Sequence, residues 1–279
     1  MQEKIMQWQS IDGYHLFARK WKPEKEVNAV ICLVHGLGEH SGRYQDWADR
    51  LIAAGYAVFA IDLRGHGQSA GARGDVLSFD HFADDLDLML EQAQNDFSER
   101  PVFLYGQSMG GMLTLFYLIQ RRPQISGAII TSPFLHSVFD LRKVQILMAK
   151  VLGRIIPHMS ISSRLEVEGL SRDPAVIAAY RHDPLIHDRI SARFGKACLQ
   201  AISYIFEHAS EIKAPLLLMH GTEDRINFAS GTKIIAALLT NDCTLKLWEG
   251  LYHELHNEPE KDQVFDYLQN WLESKIADS

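Results

Sequence analysis

Short apolar runs alternate with stretches of helical spacing along most of the chain. Residues 5–21 alternate roughly between apolar and polar side chains and are split by Asp12-Gly13, which predicts an antiparallel hairpin at one edge. Residues 27–34 are a continuous apolar run, 41–54 have helical spacing with Gly55 as a stop, and 56–61 are apolar again. A helix is predicted over 79–97, with Phe82, Leu86, Leu90, Ala93 and Phe97 on one face. A strand at 102–105, a helix at 112–119 and a strand at 127–131 follow. The alternation resumes with strands at 215–219 and 244–248 and helices at 231–239 and 264–272. Apolar strands interleaved with amphipathic helices predict an α/β fold, a mostly parallel central sheet with helices on both faces.

From about residue 134 to 208 the helical periodicity continues without clear strands. Leu141, Val144, Leu147, Met148, Val151, Leu152 and Ile155 form an apolar stripe, with Arg142, Lys143, Lys150 and Arg154 on the other side. This predicts an inserted helical cap that divides the chain into core 1–133, cap 134–208 and core 209–279. The stripe suits a helix packed on the core, and its basic flank also suits contact with a micelle or membrane surface.

One junction carries chemistry. In LYGQSMGGML, Ser108 stands between Gly106 and Gly110, after a buried-strand pattern and before a helical one. So tight a strand-to-helix turn forces its apex into an unfavourable backbone conformation, and side chains two positions away would clash. The G-x-S-x-G pattern therefore fits a nucleophile elbow. A serine hydroxyl becomes a good nucleophile when a neutral imidazole takes its proton and a carboxylate stabilises the resulting imidazolium.

Loops at the carboxyl ends of parallel strands converge on one crevice, which narrows the partners. Asp224 follows the 215–219 strand, whereas Asp242 precedes a strand and falls at the opposite end. Glu223 is not excluded by spacing, but Asp224 is the preferred acid. Of the histidines, only His253 and His256 follow the last predicted strand, in GLYHELHNEP, and His253 is nearer the strand end. The chain order Ser108, Asp224, His253 is the one known for a serine triad on this architecture. The oxyanion is expected to meet the backbone N–H of Met109 and that of Leu37, in the loop His35-Gly36-Leu37-Gly38-Glu39.

Composition removes other classes. A chain of 279 residues, 47% hydrophobic and 23% charged, suits one globular domain with an insertion. A net charge of −7 without a long basic cluster argues against a nucleic-acid partner. The opening MQEKIMQWQS has no apolar export segment, and no run reaches the roughly 18 residues of a spanning helix. Cys32, Cys198 and Cys243 are scattered as reduced thiols would be, so a cytoplasmic location, at most peripheral to membranes, is expected. His253-Glu254-Leu255-His256 is not H-E-x-x-H and no G-x-G-x-x-G occurs, so neither a metal nor a dinucleotide is expected.

Further motifs are HGLGEHSGRY at 35–44, DLRGHGQSAGARGDV at 62–76, GQSMGG at 106–111, His182-Asp183-Pro184-Leu185, HGTEDRIN at 220–227 and EGLYHELHNE at 249–258. With these, nearly the whole chain resembles α/β-hydrolases of the monoacylglycerol lipase and lysophospholipase group. Gln107 departs from the histidine often found before the serine in that group, and the cap matches least well. The resemblance implies hydrolysis of a single-acyl-chain lipid ester through a serine acyl-enzyme, without cofactor, most readily a monoacylglycerol. It also implies that Glu39, Arg43 and His256 bind the alcohol of the substrate. Lysophospholipase and general carboxylesterase activities are the enzymatic alternatives, and an inactive binding scaffold is the non-enzymatic one.

Overall fold

The computed structural model describes residues 2–136, 156 and 158–277; the apolar stripe expected at 141–155 lies outside the described residues. Strands β1 (Gln2–Gln9) and β2 (His15–Lys22) form the antiparallel hairpin, with Gly13 in its turn at φ 86°. Then follow β3 (Ala29–Val34), α1 (Gln45–Ala53), β4 (Tyr56–Ile61), α2 (Phe79–Asp96), β5 (Val102–Gln107), α3 (Met109–Arg121) and β6 (Gly127–Thr131). The chain returns through β7 (Ser160–Ser162), α4 (Pro174–His182), β8 (Arg189–Ser191) and α5 (Ala192–His208) to β9 (Leu216–Gly221), α6 (Ala229–Leu238), β10 (Cys243–Trp248) and α7 (Lys261–Ala277).

The main sheet has the order β1-β2-β4-β3-β5-β6-β9-β10, parallel from β4 to β10 and antiparallel at β1 and β2. Strands β3, β4, β5, β6 and β9 are buried at every residue, which is why they read as unbroken apolar runs rather than alternating ones. Their two faces still separate by residue parity. Val30, Cys32 and Val34 pack with α2, α3 and α5, whereas Ile31 and Leu33 pack with α1 and α7.

Helix α2 shows how local sequence serves this packing. Ser78 caps its first turn by accepting from the Asp80 N–H, and Phe82, Leu86, Leu90 and Ala93 are buried as their spacing predicts. Burying a side chain such as Phe82 stabilises the fold by about 2–3 kcal/mol. The helix ends where Phe97 leaves helical backbone geometry, at φ −142°.

Two elements differ from expectation. The helix expected at 41–54 begins as a 3-10 turn, Ser41–Tyr44, because the His40 side chain accepts from the Gly42 N–H at 3.2 Å and tightens the entry. The stretch expected to lack strands contains β7 and β8, paired antiparallel over three residues each, too short for a period of two to be legible. The loops after β3, β5, β9 and β10 carry His35–Glu39, Ser108, Asp224 and His253 at the carboxyl edge of the parallel strands.

Candidate active site

Ser108 lies between β5 and α3 at φ 55° and ψ −117°, a strained conformation for a residue with a side chain. The neighbouring glycines are required by contact. A Cβ on Gly110 would lie 2.1 Å from the Val34 carbonyl oxygen, and one on Gly106 would lie 2.5 Å from Thr114 Oγ1. Met109 opens the helix, so its N–H has no partner within the helical ladder and is free to meet a developing anion.

Asp224 is buried and accepts four hydrogen bonds. Oδ2 takes His253 Nδ1 at 2.7 Å and His220 Nε2 at 3.1 Å, and Oδ1 takes the Ile226 and Asn227 N–H groups at 2.8 and 2.9 Å. Burial alone would raise this carboxyl, but the His253 imidazole and the hydrogen bonds hold it well below the usual carboxylate range. A carboxylate only accepts, so Nδ1 of His253 carries a proton and Nε2 is left to act as a base. Burial disfavours the His253 imidazolium, yet Asp224 outweighs burial and raises its pKa above the ordinary value. The Gln107 amide donates to the His253 carbonyl at 3.2 Å and so ties the histidine loop to the elbow. Glu223, the alternative acid, is exposed.

The loop proposed for the oxyanion approaches the elbow closely: a Cβ on Gly36 would lie 3.3 Å from Ser108 Cβ. Leu37 is half-buried, and Glu39 shapes the loop by accepting the Gly36 N–H at 2.5 Å and the Tyr44 hydroxyl at 2.8 Å. Arg43 then bridges two carboxylates, Glu39 at 2.5 Å and Glu254, bidentate, at 2.7 and 2.8 Å. All three side chains are nearly buried, so this is an internal network rather than an exposed helix pair. Burial would depress the guanidinium and raise Glu254; their mutual attraction reverses both. His256 stacks on Tyr44 with ring centroids 4.7 Å apart, and burial lowers its pKa to about 4 despite Glu254 and Glu39 nearby. Its Nδ1 has no hydrogen-bond partner among the described residues.

The segment between β6 and β9 reaches this loop. The His187 N–H donates to the Gly38 carbonyl at 2.9 Å, His40 Nε2 meets Asp183 Oδ2 at 2.8 Å, and Arg43 lies over the Tyr180 ring at 4.9 Å from its centroid. Sequence reasoning had not assigned roles to Gln107, Tyr180, His187, His220, Asn227 or Glu254. A signal existed for three of them, since His220 and Asn227 bound the motif around Asp224, and Glu254 follows His253 directly.

The arrangement holds an oriented imidazole, a buried acid, a strained serine and free backbone donors, a set suited to acyl transfer through serine. Among the described residues no cluster of His, Cys, Asp and Glu is suited to a metal, and no helix is long and apolar enough to cross a membrane.

Comparison with known proteins agrees. The family model Hydrolase_4, described as serine aminopeptidase, S33, matches residues 25–260. A monoacylglycerol lipase of Mycolicibacterium smegmatis is 33% identical over 268 residues, 95% of each chain. An uncharacterized abhydrolase domain-containing protein of Dictyostelium discoideum is 35% identical over 96% of this chain, which spans 29% of that longer protein. The crystal structure of Paleococcus ferrophilus monoacylglycerol lipase superposes with a TM-score of 0.85 at 35% identity, covering 93% of this chain and 99% of that one. The chain belongs to the Hydrolase_4 family of α/β-hydrolases, in its monoacylglycerol lipase group.

Proposed function

We propose that this protein hydrolyses monoacylglycerols to fatty acid and glycerol through an acyl-enzyme on Ser108. The observation that carries the reading is the buried Asp224–His253 pair, linked at 2.7 Å and tied to the strained Ser108 elbow through Gln107. Ser108 Oγ attacks the ester carbonyl carbon while His253 Nε2 takes its proton. The C–O bond to the alcohol then breaks as that proton passes to the departing oxygen. Water attacks the acyl carbon next, gives its proton to His253 and releases the acid as Oγ recovers a proton. The Leu37 and Met109 N–H groups hold the oxyanion of each tetrahedral intermediate.

The alcohol is assigned to Glu39, Arg43 and His256. They lie between the oxyanion loop and the His253 loop, where Arg43 directs three of its five N–H groups to carboxylates and keeps two for substrate hydroxyls. His256 Nδ1 is a further polar atom without a partner among the described residues. Both carboxylates here are engaged by Arg43, which leaves neither as a simple receptor for a free α-amino group. This favours an ester of a neutral polyol over an aminopeptidase substrate. Residues 134–208 act as the cap over the acyl chain, and this cap is also the part assigned to contact with lipid aggregates. The free cysteines suit a cytoplasmic location.

The test is a fluorophosphonate label followed by a substrate panel. Ser108 should be the labelled residue, and Ser108→Ala should lose hydrolysis by on the order of 10⁶-fold in kcat. Among monoacylglycerol, lysophospholipid, aminoacyl arylamide and p-nitrophenyl esters of matched chain, kcat/KM should be highest for the monoacylglycerol. His256→Ala should lower that value by about tenfold and leave the p-nitrophenyl ester little changed. Equal losses on both esters would move the assignment to a general carboxylesterase, and an unreactive Ser108 would leave a binding scaffold.

A further inference from the structure

We propose that Asn227 is a catalytic residue of this hydrolase, its side-chain amide acting directly on the Ser108 oxygen; the proposal rests on Ser108 being the nucleophile. Asn227 is fully buried, and its Nδ2 lies 3.4 Å from Ser108 Oγ and 2.9 Å from the Ser132 carbonyl oxygen. The Ser132 carbonyl can only accept, so the nitrogen end of the amide must face it, and that nitrogen carries two hydrogens. One serves Ser132 and the other is directed to Oγ. Asn227 Oδ1 has no partner among the described residues, so the polar ties of the side chain all run through Nδ2.

The backbone of the same residue serves the other end of the triad. Its N–H donates to Asp224 Oδ1 at 2.9 Å, and its carbonyl accepts from His220 Nε2 at 2.9 Å. Asn227 is thus fixed by its main chain to the loop of the acid, and its side chain reaches across to the nucleophile. Replacing the side chain removes its contacts with Oγ and with the Ser132 carbonyl and leaves the backbone ties to Asp224 and His220 in place.

The contact bears on both halves of the reaction. In acylation the proton leaves Oγ for His253 as the new C–O bond forms. In deacylation, once water has added to the acyl carbon, the bond between that carbon and Oγ breaks, its electron pair goes to Oγ, and His253 returns a proton there. In both transition states Oγ is closer to an alkoxide than it is as a hydroxyl or as an ester oxygen. An N–H donor binds an alkoxide-like oxygen more strongly than a neutral one, so the interaction lowers the barrier instead of merely strengthening the resting state. The ester oxygen of the acyl-enzyme is the poorest acceptor of these forms, and the larger gain therefore falls on deacylation. A resting length of 3.4 Å is long for N–H···O and fits a bond that tightens as charge develops.

The experiment compares wild type with Asn227→Ala and with the isosteric Asn227→Asp, on a p-nitrophenyl ester and a monoacylglycerol of the same chain. Reactive sites are counted with a fluorophosphonate. In Asn227→Ala on the p-nitrophenyl ester, kcat per labelled site should fall about tenfold and KM should fall with it, because the acyl-enzyme accumulates when deacylation is the slower step. A pre-steady-state burst of p-nitrophenol should appear or grow, and the acid limb of the kcat/KM profile should keep its wild-type midpoint, because Asp224 and His253 remain paired. Asn227→Asp keeps the shape but carries at most one proton, which the Ser132 carbonyl takes, so Oγ loses its donor and the variant should lose at least as much; it decides the matter if the alanine variant does not fold. A kcat per labelled site within about twofold of wild type in a folded variant overturns the proposal. A loss accompanied by a displaced acid limb and no growth of the burst also overturns it, since that pattern marks a disordered acid loop. A wild-type enzyme unlabelled at Ser108 would overturn the nucleophile assignment itself, and this proposal with it.

Discussion

The floor of the crevice and the segment proposed to cover it are attached to the sheet by different kinds of contact. The floor is held by backbone pressed against backbone. Gly110 admits no Cβ beside Val34, a Cβ on Gly221 would lie 2.2 Å from the Leu251 carbonyl oxygen, and Asp224 is clamped by four donors. Of the proposed cover, α5 is packed into the core through Phe194, Ala197, Cys198, Ala201 and Ile205, whereas the contacts at the rim are largely polar side chains. Asp75 receives Arg193 at 2.5 Å and His158 at 2.9 Å, Asp183 meets His40, and Tyr180 lies under Arg43. Backbone joins add to these: the His187 N–H to Gly38, the Ser191 N–H to Gly74, the His253 and Glu254 N–H groups to the Gly169 and Leu170 carbonyls, the Phe134 N–H to Ser108 and the Phe228 N–H to His136. Close packing fixes positions to fractions of an ångström, which acyl transfer requires. Partly exposed polar contacts contribute about 0–1 kcal/mol each, so the rim is where the proposed cover is expected to adapt to different acyl chains.

The largest expected effect tests whether the floor is as exacting as this contrast implies. Asp224→Asn preserves the shape of the side chain but offers His253 Nδ1 a donor or a neutral acceptor in place of a carboxylate. It should lower kcat by roughly 10⁴-fold by favouring the wrong imidazole tautomer. The pH profile supplies a second readout. In the proposed mechanism hydrolysis requires neutral His253, whose pKa is raised above its ordinary value by Asp224 against the pull of burial. The wild-type kcat/KM should therefore fall as pH drops through a midpoint above about 6.5. In Asp224→Asn burial is opposed only by Glu254 and Glu39, which act less strongly than Asp224, so the midpoint should move down. His256, lowered to about 4, stays neutral over the same range and adds no limb of its own. An unchanged midpoint would show that another group governs the limb.

Much of the floor was legible in the sequence because each part announces itself over a few adjacent residues. The elbow needs glycine on both sides of Ser108, the buried strands must be apolar at every position, and the acid and histidine follow strand ends. The cover left weaker traces. Strands β7 and β8 have three residues each, and Tyr180 reaches Arg43 from a helix far away in sequence. The network of Arg43 was legible only in part. Its i, i+4 pairing with Glu39 is a spacing visible along one helix entry, but the second carboxylate, Glu254, lies 211 residues away and is brought in by the sheet. A fold is required to make that contact, and it also turns an apparent surface pair into a buried one.

Arg43→Ala probes the border between floor and cover and should give the next largest effect. Its guanidinium neutralises Glu39 and Glu254, and removing it leaves two nearly buried carboxylates facing each other. Breaking a buried ion pair from one side typically costs about 3–5 kcal/mol, so a clear fall in the urea midpoint is expected. Hydrolysis of every ester should fall as well, because Glu39 positions Gly36 and Glu254 adjoins His253. Arg43→Lys should recover only part of the stability, since an ammonium cannot hold Glu254 in a bidentate fork. A stable Arg43→Ala enzyme with normal turnover of small esters would show that the network does not set the geometry of the floor.

Asp183→Ala should give the smallest effect, and it tests the cover most directly. The carboxylate lies at the rim, 2.8 Å from His40 Nε2, and also accepts the Leu185 N–H through Oδ1 at 2.9 Å. Burial raises this carboxyl, but the His40 hydrogen bond and then the Leu185 N–H outweigh it and leave its pKa below the ordinary value. At neutral pH the group is therefore a charged acceptor whose loss removes one side-chain tie between cover and floor, about 1 kcal/mol or less. His40 keeps its acceptor role toward the Gly42 N–H, so the entry to α1 and the loop carrying Glu39 should stay in place. Turnover of an acetyl ester should then remain within about twofold of wild type, while KM for a long-chain monoacylglycerol rises by a few-fold because the acyl chain meets a looser wall. The comparison is made on one preparation with both substrates. A parallel loss on both would mean that the Asp183 contact helps to set the geometry around Ser108, and that cover and floor form a single rigid unit.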